Sequence, residues 1–145
     1  MWLEKSRVNY YVLSFVALFG LLLNMSFAGQ LAQPDWSLAI LLAILLSKRS
    51  TWFWVLPLIG LHDYLLFWSA WVVFPFAVLA ALLLTYADIR LAPGQHQRWV
   101  SLGLVCIPLL LAGIDILSWL LTITLTIWIW SMLSSKREKV YVEPV

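Results

Sequence analysis

Apolar residues run along this chain in long blocks, and polar residues gather in short stretches between them. The first block covers residues 10–27. As a helix its 18 residues span about 27 Å, close to the hydrocarbon thickness of a bilayer. Ser26-Phe27-Ala28 resembles a signal-peptidase site. The apolar run is longer than the roughly 7–15 residues of a signal peptide, however, and reads as a retained first helix. A polar stretch from Gln30 to Asp35 follows. Pro34-Asp35-Trp36 then opens the second block, 34–47, with proline suited to a first helical turn and aspartate to the positive end of a helix dipole. This block is short for a span, and Ser47-Lys48-Arg49-Ser50 ends it.

Two longer blocks follow. Residues 51–87 would make a helix of about 55 Å, nearly twice the apolar slab, so the pattern predicts two helices, 51–66 and 70–88, with a break near 67–71. Asp88 to Arg98 reads as a loop with Pro93-Gly94 as its turn signal. The block 99–133 divides by the same length argument into helices over about 98–113 and 117–133, with Gly113-Ile114-Asp115 and Ser118 at the turn. Residues 1–9 and 134–145 are expected to be a short arm and a charged tail. The predicted fold class is all-α: a single polytopic bundle of six transmembrane helices.

Composition strengthens this picture. Of 145 residues, 63% are hydrophobic and 11% are Asp, Glu, Lys or Arg, less than half the roughly 25% charged residues of soluble domains. The mean hydropathy is +0.94. Sixteen charges cannot clothe a soluble globule of this size, which excludes a water-soluble enzyme. The net charge of +2 is too small to signal a nucleic-acid partner. Placement says more. With six spans, Lys5, Arg7, Lys48, Arg49, Arg90, Arg98, Lys136, Arg137 and Lys139, every Lys and Arg in the chain, fall on one side. The positive-inside rule makes that side cytoplasmic, with both termini. Trp36, Trp68, Trp71 and Trp119 then lie at the outer boundary and Trp52, Trp54, Trp99, Trp128 and Trp130 near the inner one. Indole rings favour those levels as anchors among the membrane lipids.

Reactive chemistry has little to work with. Cys106 is the sole cysteine and sits in an apolar run; His62 and His96 are far apart in sequence. A tetrahedral zinc site lacks ligands. There is no Gly-x-Ser-x-Gly and no glycine-rich phosphate loop. An aspartic intramembrane protease would need a Gly-x-Gly before one aspartate, and Ala112-Gly113-Ile114-Asp115 breaks that pattern. No enzyme activity, cofactor or metal is expected. Asp35 is accounted for by its place at a helix start. Asp63 is not, because a carboxylate in a span is costly unless it meets a partner or water. One reading bonds it to Tyr64, a hydroxyl or a backbone end group at an outer turn. The other makes it a contact for another protein's helix or a ligand. Neighbouring His62 is not expected to face it, since adjacent helical positions diverge. Gly20, Gly60 and Gly103 permit close helix approach, and Pro57, Pro75 and Pro108 are expected to kink their helices.

An ordered set of segments resembles the rod shape-determining protein MreD family. Pro34-Asp35-Trp36-Ser37-Leu38 is similar to its Pro-Asn/Asp-Trp helix start. Gly60-Leu61-His62-Asp63 is similar to its Gly-rich segment with an aspartate. Trp128-Ile129-Trp130 followed by Lys136-Arg137 is similar to its tryptophan-rich end and basic tail. The resemblance covers roughly residues 14–139. It implies a bacterial inner-membrane scaffold of the elongasome that binds the bitopic protein MreC, alongside MreB, the RodA glycosyltransferase and its penicillin-binding transpeptidase. It also implies a fold like the six-helix substrate-binding subunit of energy-coupling-factor transporters. The expected contact residues are Asp63, His62, Asp35, Trp36, Gly60 and Gly20, with Gly20 and Gly60 on a lipid-facing stripe open to a partner. The alternatives are a small-molecule-binding transporter subunit, with an outer cavity lined by Asp35, Asp63 and Trp68, and a subunit of another membrane assembly.

Overall fold

The computed structural model describes residues 10–27, 33–48, 51–68, 72–91 and 94–142, with side chains as far as 133. Trp2, Lys5, Arg7, Arg49 and Trp71 lie outside the described residues, as do the side chains of Lys136, Arg137 and Lys139. Six helices and no strand occur among the described residues: α1 Tyr10–Ser26, α2 Trp36–Ser47, α3 Trp52–Phe67, α4 Phe74–Leu91, α5 Gln95–Leu111 and α6 Ile116–Val142.

The two long apolar blocks divide where the backbone leaves the helical region. After α3, Trp68 takes a left-handed conformation (φ 58°) while its N–H still bonds the Tyr64 carbonyl at 3.1 Å. After α5, Gly113 turns the chain at φ 95°. Both breaks fall inside the predicted intervals. Three boundaries differ. Asp88 and Arg98 are helical, so only residues 92–94 separate α4 from α5, because these two side chains bind each other across the gap. Pro75 lies in the first turn of α4, where its missing N–H costs nothing, so it does not act as an internal kink. The last helix runs on past 133 to Val142. Pro57 and Pro108 do sit inside α3 and α5.

The shortest helix is the centre. Every residue of α2 from Ser37 to Ser47 is buried, packed by α1 and α6 above all, then by α3 and α5. Its 12 residues reach about 18 Å, too short to cross a bilayer in contact with lipid. Its neighbours cover it, and by length and composition it is not one of the two helices able to cross a membrane. The other helices bury one stripe and turn the rest outward. Ala77, Ala80, Ala81 and Leu84 form the buried stripe of α4, while Leu82 and Ile89 of that helix are exposed. Phe15 and Phe19 on α1 are 66% and 68% exposed. α4 and the segment 116–133 of α6 are long and apolar enough to cross a membrane, with only 28% and 22% of their residues buried. The core helix of a soluble protein would be mostly buried. This pattern is the reverse, since soluble monomers rarely expose apolar patches beyond a few hundred Å².

The hydrogen bonds define two ends. At one end Tyr10 Oη lies 3.2 Å from Ser47 Oγ, Lys48 Nζ sits over the Tyr10 ring, and Trp99 meets Trp130 edge to face. Arg98 there forms a two-pronged pair with Asp88 (Nη1–Oδ1 2.7 Å, Nη2–Oδ2 2.9 Å) and donates from Nε to the Leu46 carbonyl at 3.3 Å. This gathers the start of α1, the ends of α2 and α4, the start of α5 and the later part of α6. The described cations Lys48, Arg90 and Arg98 therefore share one end, and Asp35, His62, Asp63 and Asp115 share the other.

At Gly20, α1 lies tight against the start of α2. A Cβ there would lie 2.8 Å from Trp36 Cβ and 3.1 Å from the Ser37 amide. Gly20→Ala gains up to about 1 kcal/mol of helix propensity but must push α1 off α2, an overpacking cost of about 1–3 kcal/mol. We expect a lower unfolding midpoint in detergent. Gly103→Ala, with nothing within 4 Å of its Cβ position, should raise that midpoint.

Candidate functional site

Three ionisable side chains from distant points of the sequence converge at the second end. Asp35 precedes α2 with extended backbone (φ −80°, ψ 90°), and its Oδ1 accepts from the Leu38 N–H at 3.2 Å and the Ser37 hydroxyl at 3.1 Å. A side chain capping the first turn satisfies an amide with no partner inside the helix. The other oxygen, Oδ2, lies 2.5 Å from His62 Nε2. His62 Nδ1 lies 3.1 Å from Asp63 Oδ1. Asp63 Oδ2 accepts from the Val73 and Phe74 amides at 2.6 and 2.7 Å. Asp63 is thus a cap supplied across the fold to α4, whose own preceding residues are the apolar Val72 and Val73. His62 and Asp63 are 0% exposed and Asp35 5%.

The imidazole bridges two carboxylates, one at each ring nitrogen. All four carboxylate oxygens have a partner: Asp35 Oδ1 and Asp63 Oδ2 take helix-start donors, and Asp35 Oδ2 and Asp63 Oδ1 face the ring. In a low-dielectric interior a fully satisfied polar network rigidifies its surroundings, whereas a broken one is costly. Among the described residues no group of three His, Cys, Asp or Glu is arranged to hold a metal ion.

Two further residues complete the knot. Asn24 at the end of α1 donates from Nδ2 to the Pro34 carbonyl at 2.9 Å, and its Oδ1 accepts from the Trp36 N–H at 3.0 Å. The Asp35 N–H donates to Thr122 Oγ1 at 2.9 Å, and that hydroxyl donates to the Ser118 carbonyl at 2.7 Å. The knot therefore joins α1, α2, α3, α4 and α6. Neither Asn24 nor Thr122 belongs to a motif in the sequence. Asn24 was detectable as the only amide side chain within the first apolar block. Thr122 and Thr126, four apart and both fully buried, mark the face of α6 turned inward.

The expectation that His62 would not meet Asp63 is corrected. The buried residues of α3 are Val55, Leu56, Ile59, His62 and Asp63. That stripe is wide enough to hold adjacent positions, 55 with 56 and 62 with 63, so both side chains point into the bundle and meet beyond it. Tyr64 is 57% exposed and takes no part. The lipid-facing stripe at Gly20 and Gly60 is also corrected. Gly20 is buried against Trp36, and a Cβ at Gly60 would touch the Phe74 ring at 3.4 Å. Both glycines serve packing between helices of this chain. Trp36 is half-buried. The outer cavity expected of a transporter subunit is not what these residues form, because Asp35 and Asp63 are closed off and bonded while Trp68 is 84% exposed. Asp115 is exposed just before α6, and its carbonyl accepts from the Trp119 N–H at 2.9 Å.

No protein-family model, curated protein or solved structure matches this chain.

Proposed function

We propose that this protein is a non-enzymatic, multi-pass scaffold of the bacterial inner membrane, of the MreD type, serving lateral peptidoglycan synthesis and cell shape. On this reading the six helices cross the bilayer in alternate directions, and the end carrying Lys48, Arg90 and Arg98 lies in the cytoplasm with both termini. The proposed partners are membrane lipids and MreC, and through the rod complex MreB, RodA and its penicillin-binding transpeptidase. The proposed fold relationship is to the substrate-binding subunit of energy-coupling-factor transporters.

One observation carries the reading. The bundle is polar at its two ends and apolar on its outward flanks, and its strongest polar cluster is spent on bonds within the fold. Phe15, Phe19, Leu82 and Trp128, each more than half exposed, offer surface suited to lipid or to a partner's span, where association rests on packing rather than on a hydrophobic driving force. Asp35, His62 and Asp63 offer a rigid knot and no open reactive group, which suits a scaffold better than a catalyst.

The test is affinity purification of the full chain in mild detergent with identification of what co-elutes. The reading expects MreC together with rod-complex proteins. A transport ATPase co-eluting in their place would overturn it.

A further inference from the structure

A groove of about 300 Å³ runs between α4 and α5 near the cation-bearing end. Leu84 and Ser101, both buried, form its floor; Leu83, Tyr86, Val100 and His96, all exposed, form its walls. The volume is at the lower end of the roughly 300–1,000 Å³ of small-molecule sites. The lining is mostly aliphatic and aromatic, which fits a hydrocarbon chain. Such a groove alone would not choose among lipids, because bulk acyl chains are equally apolar.

The choice comes from what stands at the mouth. The exposed Arg90 guanidinium is held over the Tyr86 ring, 5.6 Å from its centroid. Among the described residues no carboxylate pairs with Arg90; the nearby Asp88 is engaged by Arg98. His96 brings an imidazole ring to the same groove. α5 begins here at Gly94 with no side-chain cap, and a helix start carries partial positive charge. Apolar walls, a guanidinium with no carboxylate partner among the described residues and a helix start without a side-chain cap lie together at the end where the cations gather.

We propose that this groove binds one anionic phospholipid of the surrounding bilayer, with an acyl chain along Leu83, Leu84 and Val100 and its phosphate at Arg90 and His96. The inference rests on the membrane reading given above. A single cation near a membrane surface is worth about fivefold in binding an anionic lipid.

The test uses the delipidated full chain, offered phosphatidylglycerol or phosphatidylcholine with the same acyl chains, and native mass spectrometry of the lipid retained. The wild type should retain one phosphatidylglycerol at least about fivefold better than phosphatidylcholine. Arg90→Gln, a change at an exposed side chain, should remove most of that preference. Val100→Trp, which fills the groove, should lower retention of the bound lipid. Equal retention of the two lipids by the wild type, or an undiminished preference in Arg90→Gln, overturns the site. Flotation of the same protein with vesicles separates this from the larger reading. A chain that floats but shows no lipid preference loses the site alone, and a chain that does not float loses both.

Discussion

Replacing His62 with leucine is expected to destabilise the bundle by about 3–5 kcal/mol, the cost of removing one partner from a buried ionic pair. Leucine offers comparable bulk and no donor. Asp35 Oδ2 and Asp63 Oδ1, which face the two ring nitrogens, would be left opposite each other in a closed apolar space. Each carboxylate also caps a helix start, so any rearrangement that relieves their repulsion pulls on α2 or α4. Titration of the purified chain with a denaturing detergent measures the loss. A change below about 1 kcal/mol would mean that water reaches the three side chains, contrary to their burial. The conservative His62→Gln, which keeps a donor nitrogen for one carboxylate but brings an acceptor oxygen as well, should fall between the wild type and His62→Leu.

Replacing Arg98 with alanine is expected to cost about 2–3 kcal/mol, less than the His62 change because the guanidinium is 13% exposed and partly screened. The partner it leaves is the buried one: the Asp88 side chain is 1% exposed. The Leu46 carbonyl at the end of α2 loses its donor at the same time. Arg98→Lys should restore only part of the loss, since a single ammonium cannot reproduce the two-pronged contact. The same detergent titration reads both variants. Equal stability of Arg98→Lys and the wild type would show that charge alone, without the fork, holds α4, α5 and α2 together.

How far the sequence could be read depended on the kind of residue. The division of the two long blocks followed from length and from turn residues, and the left-handed Trp68 and the turn at Gly113 fall where those arguments put the breaks. Asp35 was legible as a helix start because capping is local, decided within three residues. The length of α2 was legible too, but not its central place, since burial on every side depends on what the other five helices do. Asp63 was visible as a costly carboxylate, and a backbone end group at an outer turn was among the partners expected for it. The amides of Val73 and Phe74 are that group, but which amides they would be was not legible, because they reach it only once the chain has turned at Trp68. His62 and Asp63 meet because the buried stripe of α3 is wide enough to hold two adjacent positions, a width set by the packing around the helix and not by the helical angle between neighbours. Asp88 and Arg98 looked like loop residues because each alone is polar; their pairing keeps both helical. Gly20 was legible as a close-approach residue, though whether it faced lipid or Trp36 was a tertiary matter.

The account stands most directly on the two ends of the bundle facing opposite sides of a membrane. Single cysteines test this in a Cys106→Ala background: Trp68→Cys at the end that holds Asp35, His62 and Asp63, and Gln95→Cys at the end that holds Arg98. Treated with a membrane-impermeant thiol reagent, intact cells should label Trp68→Cys at once and Gln95→Cys only after the membrane is opened. Labelling of Gln95→Cys from outside intact cells, or equal labelling of both positions, would contradict the account.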